Sequence, residues 1–418
     1  MGITIVQKSD LSAPKPNAKV ALVLAGGAIS GGAFKLGGLE ALDQFLINRK
    51  TTEMDIYLGL SAGAFLAAPL SAGISPKELL ASLTGESTKI DQFGPFDFYL
   101  PNWREFTTKP AYLLRDLALF IPEAGAIATR YISHHRTEMN KLFHGFLRNR
   151  TYSALERLMA PIAEEVATKA DLKTLTSYLP GGLFDNSGIE RFIKRNLEKN
   201  GIPNDFKMLY NEVGRRLYIG ATRLNTAQGV VFGHDEDCSV TISEAVQASS
   251  AIPGFFRPAR INGIDYVDAG VRKTANISVA VRKGADLVIA YNPFRPFVQQ
   301  DDIQKADLAR SIGDLGFPAI MNQTFRMMLH SRLRLGIEKL RLDRQFHGDV
   351  LLIEPPESDL DFFNINPIAF WHRKEAAEHG HRSVRKSLEA NYPMLVKIFR
   401  AYGIEVDPKG FRSITASK

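Results

Sequence analysis

Three short segments of the chain carry residues whose types and spacing could do chemistry together. Gly59-Leu60-Ser61-Ala62-Gly63 has the G-x-S-x-G form of a nucleophile elbow, in which a serine sits on a strained turn between strand and helix. The chemistry explains the glycines. The turn pushes Ser61 towards an unusual backbone conformation, and the residues two before and two after crowd its side chain, so Gly59 and Gly63 must be small. The loop Gly26-Gly27-Ala28-Ile29-Ser30-Gly31-Gly32 precedes a helical pattern and would leave bare N–H groups at a helix N-terminus, where they can stabilise an anion. For acyl transfer that anion is the tetrahedral oxyanion. Tyr266-Val267-Asp268-Ala269-Gly270 ends a strand in a carboxylate, and an aspartate there could take the proton of Ser61.

Each segment has a plainer reading. The elbow pattern also describes a glycine-lined turn, the glycine loop could serve close packing of helix on sheet, and Asp-Ala-Gly is commonly just a turn. Gly37 and Gly38 fit the packing reading alone. Nucleotide binding fails on detail, since no Gly-Lys-Ser/Thr follows the loop and G-x-G-x-x-G is absent in register.

The elements needed to position these residues are legible. Val20-Ala21-Leu22-Val23-Leu24 is a short apolar run of buried-strand type, and after the glycines Phe34, Leu39, Leu42, Phe45 and Leu46 recur at helical spacing. A second strand–turn–helix unit follows: Asp55 to Leu58, the Ser61 turn, then an alanine-rich run from Ala64. Strands alternating with helices predict a parallel α/β sheet. From about Glu86 an aromatic-rich passage and long helical patterns predict a helical insertion over about 86–180. Sheet signals resume at Arg216 to Thr222, Gly229 to Gly233, Ile264 to Asp268 and Asp286 to Ala290. After Pro296 the chain reads as mainly helical, with one more strand at Val350 to Ile353. The expected organisation is a tail over 1–18, a catalytic domain over 19–298 carrying the insertion, and a helical C-terminal region over 299–418 packed upon it.

Composition bounds the function. The 418 residues are 45% hydrophobic and 23% charged, an ordinary globular balance that excludes intrinsic disorder. The net charge of +7 comes from dispersed basic residues with no run resembling a nucleic-acid arm, so nucleic acid is not an expected partner, and an anionic surface stays open as one. One cysteine, Cys238, cannot form an intrachain disulfide. The first residues lack a basic segment followed by an apolar one, and Val6 stands where a myristoylation signal wants Ser or Thr. These features predict a cytoplasmic protein, with peripheral membrane contact as an option. No stretch reaches the ~18 consecutive apolar residues of a membrane span. The nearest, Ala111 to Thr129, reads as helix, break, helix because it holds Pro122.

Taken in order, the glycine loop, the Gly59 to Gly63 elbow, the run Ala248-Ser249-Ser250-Ala251-Ile252-Pro253-Gly254-Phe255-Phe256 and the Asp268 turn resemble the patatin-like phospholipases over roughly Val20 to Pro293. The resemblance implies a three-layer α/β/α fold that hydrolyses acyl esters of lipids with a serine–aspartate dyad, and no metal or organic cofactor. Carried over, Ser61 resembles the nucleophile, Asp268 the base, and Gly26, Gly27, Ala28, Ile29, Ser30, Gly31 and Gly32 the oxyanion loop. The chain departs from the family where Ala28 replaces a glycine, Ser30-Gly31 stands in place of a basic residue, Ala269 follows the aspartate, and Asn276-Ile277-Ser278 lacks a proline. The missing basic residue opens a rival reading, an esterase, thioesterase or polyester depolymerase indifferent to a phosphate head group. A rival of another class is a catalytically silent acyl-chain-binding protein.

The remaining candidates are weaker. His330, His347, His372, His379 and His381 all follow Asp268, so a Ser-Asp-His triad is open by order, but only two readable strands precede Ser61, fewer than an α/β-hydrolase places before its elbow. His379 and His381 point to different sides of a helix, which disfavours a shared metal, and His234-Asp235-Glu236-Asp237 reads as a solvated turn. The basic amphipathic segment Phe325 to Phe346 fits packing on its own domain ahead of lying on a membrane. Six aromatics between Phe93 and Phe106 suggest a cover over the site, with Phe98 and Trp103 as candidates to line an acyl channel.

Overall fold

The computed structural model describes residues 2–169, 178–298 and 311–407. It divides into two compact units, Pro101–Leu183 and the remainder. The larger unit is built on a sheet whose parallel heart is Asp349–Ile353, Leu287–Tyr291, β2 (Val20–Leu24), β3 (Ile56–Gly59) and Arg216–Arg223, in that spatial order. β1 (Ile3–Gln7) closes one edge antiparallel to Asp349–Ile353, while Gly229–Gly233 and Ile264–Val267 both pair antiparallel with Arg216–Arg223.

Strands buried on both faces need apolar residues at every position, and β2 is buried along its whole length. Val20, Leu22 and Leu24 face one apolar cluster, shared with α1 (Ala28–Phe45) and α2 (Ala62–Ser71). Ala21 and Val23 face the other, shared with helices Ile277–Arg282 and Phe317–Leu342. Helices on both faces make three α/β/α layers, as expected. Helix α1 packs along helix Arg373–Ala390 at backbone contact: a Cβ on Gly37 would overlap the carbonyl of Ala377, and one on Gly380 the carbonyl of Phe34.

The expected boundaries need correction in four places. Residues 1–18 are not simply a tail, because Ile3 and Val6 are buried and β1 completes the sheet edge; five residues of mixed polarity gave too short a pattern to read. The C-terminal region is not merely packed on the catalytic domain, since its strand Asp349–Ile353 is an inner strand of the same sheet. The second unit begins at Pro101 rather than near Glu86, because Ile90 and Phe98 are buried in the larger unit, where Phe93 packs against Phe65 and Phe192. Its expected break is absent as well: one helix, Trp103–His134, runs through Pro110 and Pro122. Each proline forgoes one backbone bond, which a helix of 32 residues tolerates more easily than a short one. Helices Arg136–Arg148 and Tyr152–Lys169 follow among the described residues of that unit. Among the described residues no helix is long and apolar enough to cross a membrane.

The helix contact at Gly37 should be intolerant of bulk. Gly37→Val is expected to lower the unfolding free energy by about 1–3 kcal/mol, read from the urea midpoint at unchanged slope.

Candidate active site

The serine turn is shaped by collision. Ser61 holds φ +53°, a left-handed conformation rare for a residue with a Cβ, and α2 starts at the next residue. A Cβ on Gly59 would strike the backbone of Ala64, and one on Gly63 the carbonyl oxygen of Leu24 at the end of the neighbouring strand. Both glycines are therefore required where the helix turns back across its strand. The Ser61 N–H donates to the buried Ser249 hydroxyl at 2.8 Å, which anchors the turn from the far side.

Strand register brings the aspartate to the serine. Gly59 pairs with Ile219, so Ser61, two residues on, arrives level with Ala221. On the other side of the same strand Tyr266 pairs with Arg223 and Val267 with Thr222, which carries Asp268 to the level of Ala221 from the opposite direction. The space over the intervening strand is kept open by Gly220, whose absent side chain leaves room for Leu60, Asn276 and Ala269. Ser61 is 3% exposed and Asp268 7%, so both sit in a nearly dry site.

Burial dominates the electrostatics of Asp268, pushing its carboxyl up to about 6; the facing Ser61 hydroxyl, the Gly270 N–H donating at 2.7 Å and the charge of Lys35 oppose that rise.

The glycine loop sorts its own N–H groups. Those of Ile29 and Ser30 both donate to the Pro367 carbonyl, at 3.0 and 3.1 Å, and that of Gly31 to Gly27 at 2.8 Å. Among the described residues the N–H groups of Gly26, Gly27 and Ala28 donate to nothing. Gly26 is the part of the loop against the serine: a Cβ there would lie 3.4 Å from the Ser61 Cβ and 3.9 Å from its Oγ. Ala28 adopts φ +48°, the left-handed conformation a glycine takes without strain, so the substituted residue keeps the glycine's backbone at a cost of about 1–2 kcal/mol.

With strand, elbow, loop and carboxylate in place, sequence comparison agrees. The profile of the patatin-like phospholipase family matches residues 22–281. The chain belongs to that family. It is 21% identical over 285 residues to a probable lipid hydrolase, 463L, of Invertebrate iridescent virus 6, covering 66% of this chain and 70% of the relative. Among solved structures, VipD from Legionella pneumophila aligns at a TM-score of 0.37 and 16% identity, covering 93% of this chain and 70% of that one. Full-length ExoU of Pseudomonas aeruginosa, solved with SpcU, aligns at 0.30 and 16%, covering 96% and 61%.

For a patatin-like chain the surroundings of the serine matter as much as the motif. A cavity lined almost wholly by apolar side chains opens on Ser61, walled by Ala28, Ile29 and Ala33 at one end and by Phe93, Phe98 and Phe192 further off. Phe98 is both wall and core, its ring tilted against Phe255 and edge-on to Phe256. Trp103 belongs to the second unit and is 67% exposed. Ser30, at the position of the family's basic residue, is 1% exposed and does not line the cavity.

Three of the histidines have other partners, His379 with Asp359 at 2.8 Å, His372 with Glu375 at 3.0 Å and His381 with Gln44 at 3.1 Å, while His330 Nε2 is buried 3.4 Å from Glu354 without a hydrogen bond. None of these four bonds to Ser61 or Asp268. The run His234 to Asp237 is a turn with Asp235 and Glu236 exposed, in which Asp235 accepts from Tyr218 and Lys283 and Asp237 pairs with Arg223.

Two functional neighbours escaped the sequence reading. Ser249 lay inside a run already singled out, but its hydroxyl has no spacing signal, since it acts across 188 residues of chain. Lys35 left a faint trace: a lysine set between Phe34 and Leu36 in the glycine-rich, apolar first half of α1.

Ser249→Ala strands the Ser61 N–H without a partner in a dry site. It should cost about 1–3 kcal/mol in urea unfolding and slow labelling of Ser61 by a fluorophosphonate.

Proposed function

We propose that the protein is a lipid acyl-ester hydrolase working through a Ser61–Asp268 dyad. The reading is supported by one juxtaposition: a serine on a strained elbow, a carboxylate level with it across one strand, and beside the serine a loop whose Gly26 and Gly27 N–H groups are unbonded among the described residues. In the first step the Ser61 oxygen bonds to the ester carbon, its proton passes to Asp268, and the carbonyl oxygen becomes an oxyanion facing the loop. Collapse of the intermediate returns that proton to the leaving alcohol. Water then repeats the sequence on the acyl-serine and frees the fatty acid.

The apolar cavity suits a long acyl chain, and we assign it that role; Phe98 forms part of its wall, whereas Trp103 belongs to the second unit and is not among the residues that line it. A neutral ester, a thioester or a polyester is the second reading, favoured by the buried Ser30 where a phosphate would want a cation. We further propose that the protein works from the cytoplasm and touches anionic membrane at its periphery. Helix Phe317–Leu342 buries Leu333, Ile337 and Leu340 inwards and leaves Met328, Leu335 and Leu342 exposed beside Arg334 and Arg341.

Ser61→Ala should abolish ester turnover and fluorophosphonate labelling together; persistent labelling would sink the dyad, and absence of both in the unmodified chain would leave an acyl-chain-binding protein. Asp268 must be ionised to accept a proton, and burial pushes its carboxyl up to about 6, so kcat/KM should rise with pH through about 6. Asp268→Asn should lower kcat by about 10³ with the fold intact by circular dichroism.

Filling the cavity tests the acyl site better than emptying it, because Phe98→Ala would also cost core stability. Ala33→Leu is expected to slow long-chain p-nitrophenyl esters at least tenfold relative to the acetate, with the melting temperature held within a few degrees. Phospholipid, offered in phosphatidylglycerol or phosphatidylcholine vesicles, should not exceed neutral esters of equal chain length by a hundredfold or more.

A further inference from the structure

Lys35 lies on α1 with no exposed surface at all, a rare place for an ammonium group. Long side chains on a helix lean towards its N-terminus, and this one reaches back under the glycine loop. Its Nζ donates to the carbonyl oxygens of Ala25 and of Gly26, the latter at 3.1 Å. These two carbonyls belong to the peptides that carry the Gly26 and Gly27 N–H groups. In a planar trans peptide C=O and N–H point in opposite directions, so a cation that holds both oxygens inwards turns both N–H groups outwards. A Cβ on Gly26 would lie against Ser61, which puts this part of the loop beside the serine.

We propose that Lys35 is the positioning residue of the oxyanion hole, aiming the Gly26 and Gly27 N–H groups and balancing the negative charge of the site throughout the reaction. The proposal rests on the Ser61–Asp268 reading. Before attack the buried charges are the Lys35 ammonium and the Asp268 carboxylate. When the Ser61 oxygen bonds to the ester carbon, its proton neutralises Asp268 and the negative charge reappears on the oxyanion. One fixed cation serves both states, so no unbalanced charge forms in a dry site.

Burial pulls the Lys35 ammonium down to about 7, and the charge of Asp268 opposes that fall, so the cation is present on the acid side of about 7 and its loss adds an alkaline limb to the pH profile. Among the charged groups near the dyad, Arg332 reaches from helix Phe317–Leu342 but is occupied by the carbonyls of Gly270 and Val271, and Arg272 and Lys273 are exposed in the turn of Asp268 itself. On helix Arg373–Ala390, His379 is held by Asp359, and on the neighbouring strand the Tyr291 hydroxyl donates to Phe34.

The test is Lys35→Met in the full chain, assayed on p-nitrophenyl butyrate. The expected result is a fall in kcat of about 10–100-fold with KM within twofold, and an acid limb of the pH profile displaced upwards from about 6 because the charge that lowers the Asp268 carboxyl is gone. The melting temperature should hold or rise, since a buried charge has been removed. Lys35→Gln, which keeps a donor without the charge, should lose less of kcat while moving the acid limb as far. An unchanged kcat and pH profile, or a loss of kcat that follows a lowered melting temperature, would overturn the proposal, as would failure of both variants to fold. Ser61→Ala runs alongside: persistent fluorophosphonate labelling there defeats the dyad, whereas a sound dyad with an indifferent Lys35→Met defeats only the role of the lysine.

Discussion

The site depends on how closely α2 turns back over the ends of β2 and β3. Gly63 lies against the Leu24 carbonyl and Gly59 against the backbone of Ala64, so the helix begins with no room for a side chain on either flank. That crowding holds Ser61 at positive φ. It also places the serine beside Gly26, because Leu24 leads through Ala25 directly into the glycine loop. The Ser61 turn and the glycine loop are thus consequences of one close approach between neighbouring parallel strands.

The aspartate arrives by a different route. Its strand is antiparallel, reached through helix Ile242–Ser249 and the strand Ala259–Ile261. The same excursion supplies Ser249 to the elbow and the Ala251 carbonyl, which accepts from the Asp268 N–H at 2.8 Å. One run of chain therefore fixes both members of the pair, which lets their separation be set by register and not by loops free to drift.

The C-terminal region completes the site from beneath. Pro367 takes up the first helical N–H groups of α1, and helix Arg373–Ala390 clamps α1 at Gly37 and Gly380. Arg326, 3% exposed, holds the carbonyls of Pro293 and Arg295, in the segment whose Pro293 ring stands against Gly27 and Gly31. These contacts leave the glycine loop little freedom to deform, as a preorganised oxyanion hole requires.

What the sequence determined by itself was local. The apolar run of β2, the glycines around Ser61 and the alternation of strand and helix are short-range signals, because collision and burial act on each residue where it stands; they were enough for the α/β class, the elbow and the order of the motifs. What only the tertiary structure decided was everything set by register and long-range burial. That Ser61 and Asp268 meet level with Ala221 depends on three strands pairing in one register. That Ile3–Gln7 and Asp349–Ile353 belong to one sheet is a pairing across more than 340 residues, invisible to any window of sequence. That Ile29 and Ser30 are spent on Pro367 while Gly26 and Gly27 stay open, and that Lys35 lies under them, follows from which atoms the fold happens to bring within bonding distance. Spacing records what a segment can become, whereas hydrogen-bond partners are chosen only when distant segments close upon one another.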